Sequence, residues 1–223
     1  MRFRCGLALL LLGLSTGPAF SQILVYGFTS SSAAPTSSAS NLTGGSVSTG
    51  GGVTTTSNTS PVSSGYAGAS GGYFISDNGW TGAAPGTNYF QFTITPSSGY
   101  SVSIASISFG YRESGASTGP TNFYIRSSVD SYGSNLGTGT LTNSDNSWHS
   151  SGNTSVTLTF TSATTVRLYA NSASSGTPTL RFDDISVNGS VSAIPEPSTY
   201  AIWFGVAALG VAVAKRRKSF AQV

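Results

Sequence analysis

Few residues in this chain of 223 amino acids have types and spacing suited to catalysis. There is one histidine, His149, and the one cysteine, Cys5, lies near the amino terminus. A Ser-His-Asp triad is formally possible because serines are abundant, but a solvated loop position is the more ordinary explanation for His149. One histidine and one cysteine also fall short of a zinc ligand set. We therefore expect no catalytic residues and no enzymatic activity.

Carboxylates are the other common catalytic and metal-binding groups, and the clearest pair is Asp183 and Asp184. Adjacent residues of a strand point to opposite faces, so these two cannot flank one glycosidic bond together. Calcium binds carboxylates and backbone carbonyls, which makes either aspartate a candidate calcium ligand. The alternative is that one aspartate accepts hydrogen bonds at a sheet corner. Glu113 follows Arg112 and is expected to pair with an arginine.

Saccharide binding requires exposed aromatic rings beside hydrogen-bonding groups, and two tryptophans lie in polar, turn-like sequence. Trp80 occurs in Asn-Gly-Trp-Thr-Gly and Trp148 in Asn-Ser-Trp-His. Each ring is either a platform for a sugar or, as tryptophans usually are, a buried cap on the core. Tyr66, Tyr73 and Tyr132 are further candidates for contact with a glycan.

The elements that would position these residues are β-strands, because apolar side chains alternate along the chain without a helical period. Phe90 and Phe92 share one face of a strand, and Val102 and Ile104 share one face of the next. The alternation changes parity near residues 105–106, which indicates a β-bulge or a change of sheet. Polar turns separate the strands. The pattern predicts an all-β, antiparallel β-sandwich of jelly-roll type with about eight or nine strands.

Residues 29–64 allow two interpretations. Ser or Thr occupies 20 of these 36 positions, which is typical of a disordered, O-glycosylated linker. Strand-forming residues also recur there. If the segment is folded, four apolar side chains point into the core: Leu42, Val47, Val53 and Val62. We favour this second interpretation, early strands of the sandwich. We also expect the first and last strands, residues 23–28 and 180–187, to pair.

The charged residues divide between the ends of the chain and its middle. Six of the ten basic residues, Arg2, Arg4 and residues 215–218, lie in the terminal segments. Residues 22–194 contain four arginines and six carboxylates, a net charge of −2, with neither lysine nor cysteine. The middle therefore lacks the basic patch of a nucleic-acid-binding protein, and its stability must come from a packed core instead of disulfides.

Residues 1–21 have the pattern of a secretory signal peptide. Two arginines precede an apolar run, and Ala19-Phe20-Ser21 is a small-x-small cleavage site. Cleavage would leave Gln22 as the new amino terminus. Residues 22–193 are then long enough for one exported domain.

The carboxyl-terminal part combines a short polar motif, an apolar segment and a basic cluster. Pro195, Glu196 and Pro197 precede residues 198–214, which carry no charge and are followed by Lys215, Arg216, Arg217 and Lys218. The apolar segment is near the lower length limit for a membrane-spanning helix, and basic clusters stay on the cytoplasmic side. We therefore expect a single transmembrane helix over residues 198–214.

This order of parts, over residues 194–218, resembles the PEP-CTERM sorting signal of Gram-negative bacteria that make extracellular polysaccharide. The resemblance implies that an exosortase, a membrane-embedded transpeptidase-like enzyme, is a partner that processes the chain near Pro195, Glu196 and Pro197. It also implies a protein that is tethered at the inner membrane by its carboxyl-terminal helix and then reaches the cell surface or the extracellular matrix.

The middle of the chain resembles uncharacterised β-sandwich domains of PEP-CTERM proteins at residues 109–112, 124–128 and 180–189. Those domains are distantly similar to carbohydrate-binding jelly rolls, which often hold a structural calcium between their terminal strands. The resemblance implies such a calcium at Asp183 or Asp184, with carbonyls of the first strand. We expect a structural or adhesive role in exopolysaccharide. The alternative is a carbohydrate-binding module with Trp80 and Trp148 at the glycan, and a hydrolase is a distant third.

The sorting motif makes a direct prediction. Replacing Glu196 with alanine should leave export intact and block processing of the tail, because the processing enzyme would no longer recognise the motif. Immunoblots of membrane and medium fractions measure the retained and released forms. Ser192→Ala, just upstream of the motif, is the matched control. Release of the Glu196→Ala protein at the parental rate would contradict the assignment of the sorting signal.

Overall fold

A computed structural model of the protein describes residues 20–50, 56–58, 62–81, 87–114, 117–142, 144–175, 179–195, 204–206 and 208–210. Within these residues the domain consists of two antiparallel sheets packed over one apolar core. The predicted all-β class and antiparallel sandwich are confirmed.

Along the described residues the strands are β1 (Ser21–Tyr26), β2 (Ser37–Ser38), β3 (Leu42–Gly44), β4 (Ser48–Gly50), β5 (Thr56–Asn58), β6 (Phe74–Asp77), β7 (Tyr89–Pro96), β8 (Tyr100–Glu113), β9 (Asn122–Ser127), β10 (Gly137–Thr140), β11 (Trp148–Ser150), β12 (Thr154–Phe160), β13 (Thr164–Asn171) and β14 (Leu180–Ala193). Sheet A contains β1, β2, β5, β6, β8, β11, β12 and β14, and the others form sheet B. The count exceeds the expected eight or nine because several strands are only two or three residues long.

Sheet A is built around β14, the last strand. One edge of β14 pairs with β8 along most of its length, and the other edge pairs with β1 and, nearer its start, with β6. Beyond β8 lie β11 and β12, while β2 and β5 lie outside β1 and β6. The predicted pairing of the first and last strands is confirmed, with Leu24 opposite Val187.

Sheet B has the order β10-β9-β13-β7, and β3 and β4 pair with the remaining edge of β7. The alternation predicted from the sequence places Phe90 and Phe92 of β7 in the core. Phe182 of β14 contacts both Phe90 and Phe109 edge to face, with ring centroids 4.6 Å apart in each pair. Such ring pairs contribute beyond the roughly 1.5–3 kcal/mol from burying each side chain, so they tie the two sheets together.

Two β-bulges shift the register between the long strands β8 and β14. Between Ile104 and Ser106 of β8, Ala105 is an extra residue against β14, which is the predicted change of parity, and β8 stays in one sheet. The second bulge lies in β14 after Asp183, and Asp184 has a positive φ of 48°. This second bulge was not predicted, and it moves Asp183 and Asp184 to the same outer side of sheet A.

The Ser/Thr-rich segment of residues 29–64 forms strands in its described part. Leu42 and Val47 are buried in the core, as expected for early strands of the sandwich. Val62 is 47% exposed, so its predicted inward position was wrong. Val53 lies outside the described residues.

The predicted sorting segment is described only in part. Pro195 is exposed just after β14, and residues 204–206 and 208–210 are helical. No helix within the described residues is long and apolar enough to cross a membrane. Outside the described residues lie residues 1–19, Glu196, Pro197, most of residues 198–214, and Lys215, Arg216, Arg217 and Lys218.

Two carboxyl groups are buried at one end of the sandwich. Asp77 of β6 and Glu113 of β8 flank Leu180 of β14 in one row and are 2% and 1% exposed. The predicted pairing of Glu113 with an arginine is wrong: neither carboxyl oxygen of Glu113 has a hydrogen-bond partner among the described residues. Arg112 occupies the opposite face of β8. Burial raises the pKa of Glu113 to about 8 and that of Asp77 to about 7.

These pKa values predict a loss of stability as the pH rises. The unfolded chain releases both protons near pH 4, whereas the folded protein keeps them until about pH 7–8, so unfolding becomes easier across this interval. Each unit of pKa difference corresponds to about 1.4 kcal/mol. The melting temperature should therefore be higher at pH 5 than at pH 8, and Glu113→Gln should reduce the difference.

Asp130→Asn is the control for this measurement. Asp130 is exposed, and hydrogen bonds from Ser134 lower its pKa. Replacing it should therefore not reduce the drop in melting temperature between pH 5 and pH 8. An unchanged pH dependence in Glu113→Gln would show that Glu113 ionises normally in the folded protein.

Candidate functional site

The outer face of sheet B carries the side chains that alternate with core residues on three adjacent strands. One row across β7, β13 and β9 contains Tyr89, Tyr169 and Tyr124. The next row contains Gln91, Arg167 and Arg126. Tyr132, from the loop after β9, lies over the second row. The tyrosine–arginine face is defined as Tyr89, Tyr124, Tyr132, Tyr169, Arg126 and Arg167.

Arg167 is held between two aromatic rings. Its guanidinium carbon lies 3.9 Å from the ring centroid of Tyr89 and 3.7 Å from that of Tyr132. Its Nε donates a hydrogen bond to Oε1 of Gln91 at 3.1 Å, and its Nη1 donates to the hydroxyl of Tyr169 at 3.3 Å. Rings above and below and hydrogen bonds in the plane fix the guanidinium, which suits its flat, delocalised charge.

Arg126 is fixed by the loop that follows β9. Its Nε donates to Oδ1 of Asn135 and its Nη1 donates to the carbonyl of Tyr132, both at 2.7 Å. Ser131 and Tyr132 have φ values of 58° and 62°, a left-handed conformation that non-glycine residues seldom adopt. Strain of this kind costs on the order of 1–3 kcal/mol and is concentrated at functional sites. Here it lets Tyr132 contact both arginines.

The two arginines lie directly opposite each other, and neither has a carboxylate partner within the part of the chain that the structure describes. Like charges in that position are destabilising in a sheet. The one ion pair within the described residues joins His149 to Asp145. Both guanidinium groups use Nε and Nη1 for the hydrogen bonds given above, so among the described residues Nη2 of each is left for a ligand. The pair is therefore suited to an anionic or hydroxyl-rich ligand.

Tyr124 supplies an aromatic surface beside this pair. It is partly exposed on the same side of β9 as Arg126, two residues away, which corresponds to about 7 Å along the strand. Thr138 of β10 lies opposite Tyr124 and is exposed. An aromatic ring beside fixed hydrogen-bond donors can stack against one sugar ring while the donors bind its oxygen atoms.

Neither tryptophan lies on this face. Trp80 is 1% exposed, stacks on Phe90, and donates from Nε1 to the carbonyl of Asp77 at 3.0 Å. Trp148 is 7% exposed and contacts Phe74 edge to face, with centroids 5.9 Å apart. A buried ring cannot lie against a sugar. Of the two alternatives set out for Trp80 and Trp148, the structure shows the buried one.

The carboxylate of Asp184 is occupied by hydrogen-bond donors. Its Oδ2 accepts from the hydroxyl of Tyr66 at 2.5 Å, the hydroxyl of Ser63 at 3.2 Å and the N–H of Ser70 at 3.1 Å. Asp183 is fully buried, and burial, followed by the charge of Asp184, raises its pKa to about 7. For Asp184 these contacts match the hydrogen-bonded alternative, while the calcium at Asp183 or Asp184 stays a prediction. The described residues contain no cluster of three metal-ligating side chains.

His149 lies on the short edge strand β11 and not in a loop. Its Nε2 is 2.8 Å from Oδ1 of Asp145, and both side chains are partly exposed. Its ring also lies 5.5 Å from that of Tyr111. These contacts explain the position of His149 without a catalytic role.

The solved structures that resemble this chain do so at low sequence identity and low structural overlap. No protein-family model and no curated protein match the chain. The CBM22-1 xylan-binding domain of Xyn10C from Paenibacillus barcinonensis is 12% identical with a TM-score of 0.45, over 81% of this chain and 99% of that one. The K3 cleaved adhesin domain of Lys-gingipain from Porphyromonas gingivalis is 12% identical with a TM-score of 0.42, over 75% and 98%.

A third similar structure is the CBM36-1 domain of a multidomain xylanase from the hindgut metagenome of Trinervitermes trinervoides. It is 16% identical with a TM-score of 0.38, over 67% of this chain and 98% of that one. At such low identity and structural overlap, what these three proteins bind does not transfer to this chain.

Most of the tyrosine–arginine face was not predicted from the sequence, although Tyr132 was a candidate for contact with a glycan. The signal was present in the alternation, because Tyr89 and Gln91 alternate with Phe90 and Phe92, and Tyr124 alternates with core residues of β9 in the same way. What the sequence could not supply was the register that brings three strands side by side.

The contacts of Asp184 predict a role for Tyr66 in stability. Tyr66→Phe removes one hydrogen bond to a carboxylate, which should lower the free energy of unfolding by about 1.5–3 kcal/mol. Urea denaturation measures this change. Tyr100→Phe is the matched control, because the hydroxyl of Tyr100 makes no hydrogen bond within the described residues. Equal stability of Tyr66→Phe and the parent would mean that water replaces the contact without cost.

Proposed function

We propose that this protein is a saccharide-binding β-sandwich and that the tyrosine–arginine face of sheet B is its binding surface. The observation that supports this most directly is the guanidinium of Arg167, fixed between Tyr89 and Tyr132 and beside Arg126. A saccharide offers flat apolar ring faces edged with oxygen atoms, and this face offers aromatic rings edged with oriented donors.

The rigidity of the face favours binding. Ordering a long side chain on association costs about 0.5–1.5 kcal/mol, and both arginines are already ordered by protein contacts. The Nη2 group of each fixed guanidinium can donate a charge-assisted hydrogen bond to a carboxylate, and such bonds are stronger than bonds between neutral groups. The two arginines without a carboxylate partner therefore favour a polysaccharide with carboxylate groups, such as a polyuronate. Tyr124 would stack on an adjoining sugar ring.

Export and sorting form the second part of the proposal. The terminal segments support a route out of the cytoplasm, a tether through residues 198–214, and processing near Pro195, Glu196 and Pro197 by an exosortase-type enzyme. A saccharide-binding domain delivered in this way would act at the cell surface or in the extracellular matrix, where polysaccharide is abundant. The expected structural or adhesive role would then follow from binding to that polysaccharide.

The proposal predicts binding to polygalacturonate that depends on the arginine pair. Arg126→Gln should weaken binding at least tenfold, because a charge-assisted contact to the carboxylate is lost. Arg126→Lys should restore it only in part, because a lysine keeps the charge but not the planar fork. Isothermal titration calorimetry of the exported protein in detergent, at two salt concentrations, measures both effects.

Arg112→Gln is the matched control, because it changes the net charge equally but lies on sheet A. Carboxyl-reduced polygalacturonate controls for the carboxylate itself. If Arg126→Gln and the parent bind polygalacturonate equally, or if the parent binds no polysaccharide, the binding proposal is wrong. A structural role without a saccharide ligand would then be the better account.

A further inference from the structure

The outer face of sheet A contains a cavity of about 510 Å³, separate from the tyrosine–arginine face. It lies over β1, β8 and β14, on the side of the sheet that faces away from the core. Phe20 and residues 66–68 form its walls. A volume in this range accommodates a small ligand or one to two sugar units.

The floor of the cavity consists of small neutral polar side chains. Ser108 lies opposite Ser186, and Ser106 lies opposite Asn188, on the neighbouring strands β8 and β14. Gln22 of β1 lies opposite Asn188 on its other side. Because cross-strand neighbours lie on the same face, these hydroxyl and amide groups form a flat hydrogen-bonding surface.

The hydrogen bonds between these groups are incomplete. Nε2 of Gln22 donates to Oγ of Ser186 at 2.8 Å. Nδ2 of Asn188 donates to Oγ of Ser106 at 3.2 Å and to Oδ1 of Asn153 at 3.4 Å. Within the described residues three polar atoms then have no protein partner: Oε1 of Gln22, Oδ1 of Asn188 and Nδ2 of Asn153. The cavity therefore offers both acceptors and a donor to the hydroxyl groups of a sugar.

The charge of the cavity distinguishes it from the opposite sheet. Asp184 is the one charged residue among those that line it, and its Oδ2 already accepts three hydrogen bonds. No arginine lines it. An anionic ligand would find no cationic side chain here, whereas a neutral, hydroxyl-rich ligand would find partners for its hydroxyl groups.

One wall of the cavity is an ordered tyrosine. The hydroxyl of Tyr66 donates to Asp184, and its ring lies against Gly110 of β8. A Cβ atom at position 110 would lie 1.9 Å from the Tyr66 hydroxyl oxygen, so this wall requires glycine there. The cavity therefore has both the aromatic surface and the polar floor of a saccharide site.

The opposite wall includes Phe20, which is 60% exposed and belongs to the segment expected to leave with the signal peptide. Cleavage after Ser21 would remove this ring and leave Gln22, in the floor of the cavity, with a new α-ammonium group. The exported protein would then have a more open cavity than the precursor.

We propose that this cavity is a second saccharide site, that it takes a neutral sugar unit, and that the two sites on opposite sheets allow one molecule to join two polysaccharide strands. The joining of strands rests on the proposed function of the tyrosine–arginine face, whereas binding in the cavity does not. A protein with one site on each face links polymers without forming a dimer.

The test uses the exported protein in detergent, with its amino terminus at Gln22 confirmed by mass spectrometry. The probes are neutral hexasaccharides of glucose, mannose and xylose. We expect the parent to bind at least one of them. Ser108→Tyr, which fills the cavity, should weaken this binding at least tenfold and leave binding to polygalacturonate unchanged. Asn188→Ala should weaken it with less disturbance of the fold.

Ser103→Tyr is the matched control, because residue 103 lies on the same face of β8 but outside the cavity. Melting temperatures of all variants show whether they fold. Failure of the folded parent to bind any of the three hexasaccharides, or equal binding by the parent and both cavity variants, would overturn the cavity proposal.

A bridging assay tests the joining of strands. Beads coated with polygalacturonate should capture a fluorescent neutral hexasaccharide only when the parent protein is present. Both Ser108→Tyr and Arg126→Gln should abolish this capture, each through loss of a different contact. If hexasaccharide binding persists while polygalacturonate binding is absent from the parent, the joining of strands and the proposed function fail together and the cavity proposal stands.

Discussion

The pairing of β14 with β8 and β1 is the interaction on which the rest of the structure depends. β14 is the last strand of the sandwich and lies between β8 and β1 in sheet A. Sheet A is therefore complete only when the two ends of the domain pair. Its inner side contributes Phe182 to the core, and its outer side forms the floor of the cavity. A shift of one residue in its register would exchange these two sides. The bulges near Ala105 and Asp184 set that register.

Much of the fold could be predicted from the alternation of apolar residues. It identified the long strands and the irregularity near Ala105. The pairing of the first and last strands was expected from the jelly-roll type of sandwich. The short strands β2 to β5 could not be located, because two or three residues contain too little of a period to be distinguished from a turn. Val62 shows the same limit, since it is a valine in a polar segment that stays exposed. Tertiary contacts, not local pattern, decide such positions.

The candidate sites were less predictable because they depend on register and on loops that cover a face. Polar neighbours left open whether Trp148 is exposed or buried, and Val62, Ser64, Gly65 and Arg112 from elsewhere in the chain lie beside it. Glu113 was predicted wrongly: adjacency to Arg112 suggested an ion pair, but neighbours in a strand point to opposite faces. The parity of β8 alone would have placed Glu113 in the core. The tyrosine–arginine face needed three strands in register, which no single segment encodes.

The distribution of charge is consistent with an acidic ligand on sheet B despite the negative net charge of residues 22–194. Two of the four arginines lie on the tyrosine–arginine face, while Asp77, Glu113 and Asp183 are buried with raised pKa values and are largely protonated below about pH 7. Charges at the surface are screened beyond about 8 Å at physiological ionic strength, so Asp145 and Asp184, which lie with sheet A, hardly repel a ligand on sheet B. Asp130 lies in the loop that carries Tyr132, and its Oδ2 accepts a hydrogen bond from the backbone N–H of Ser134. Binding on sheet B is then decided by the arginine pair at contact distance and not by the total charge.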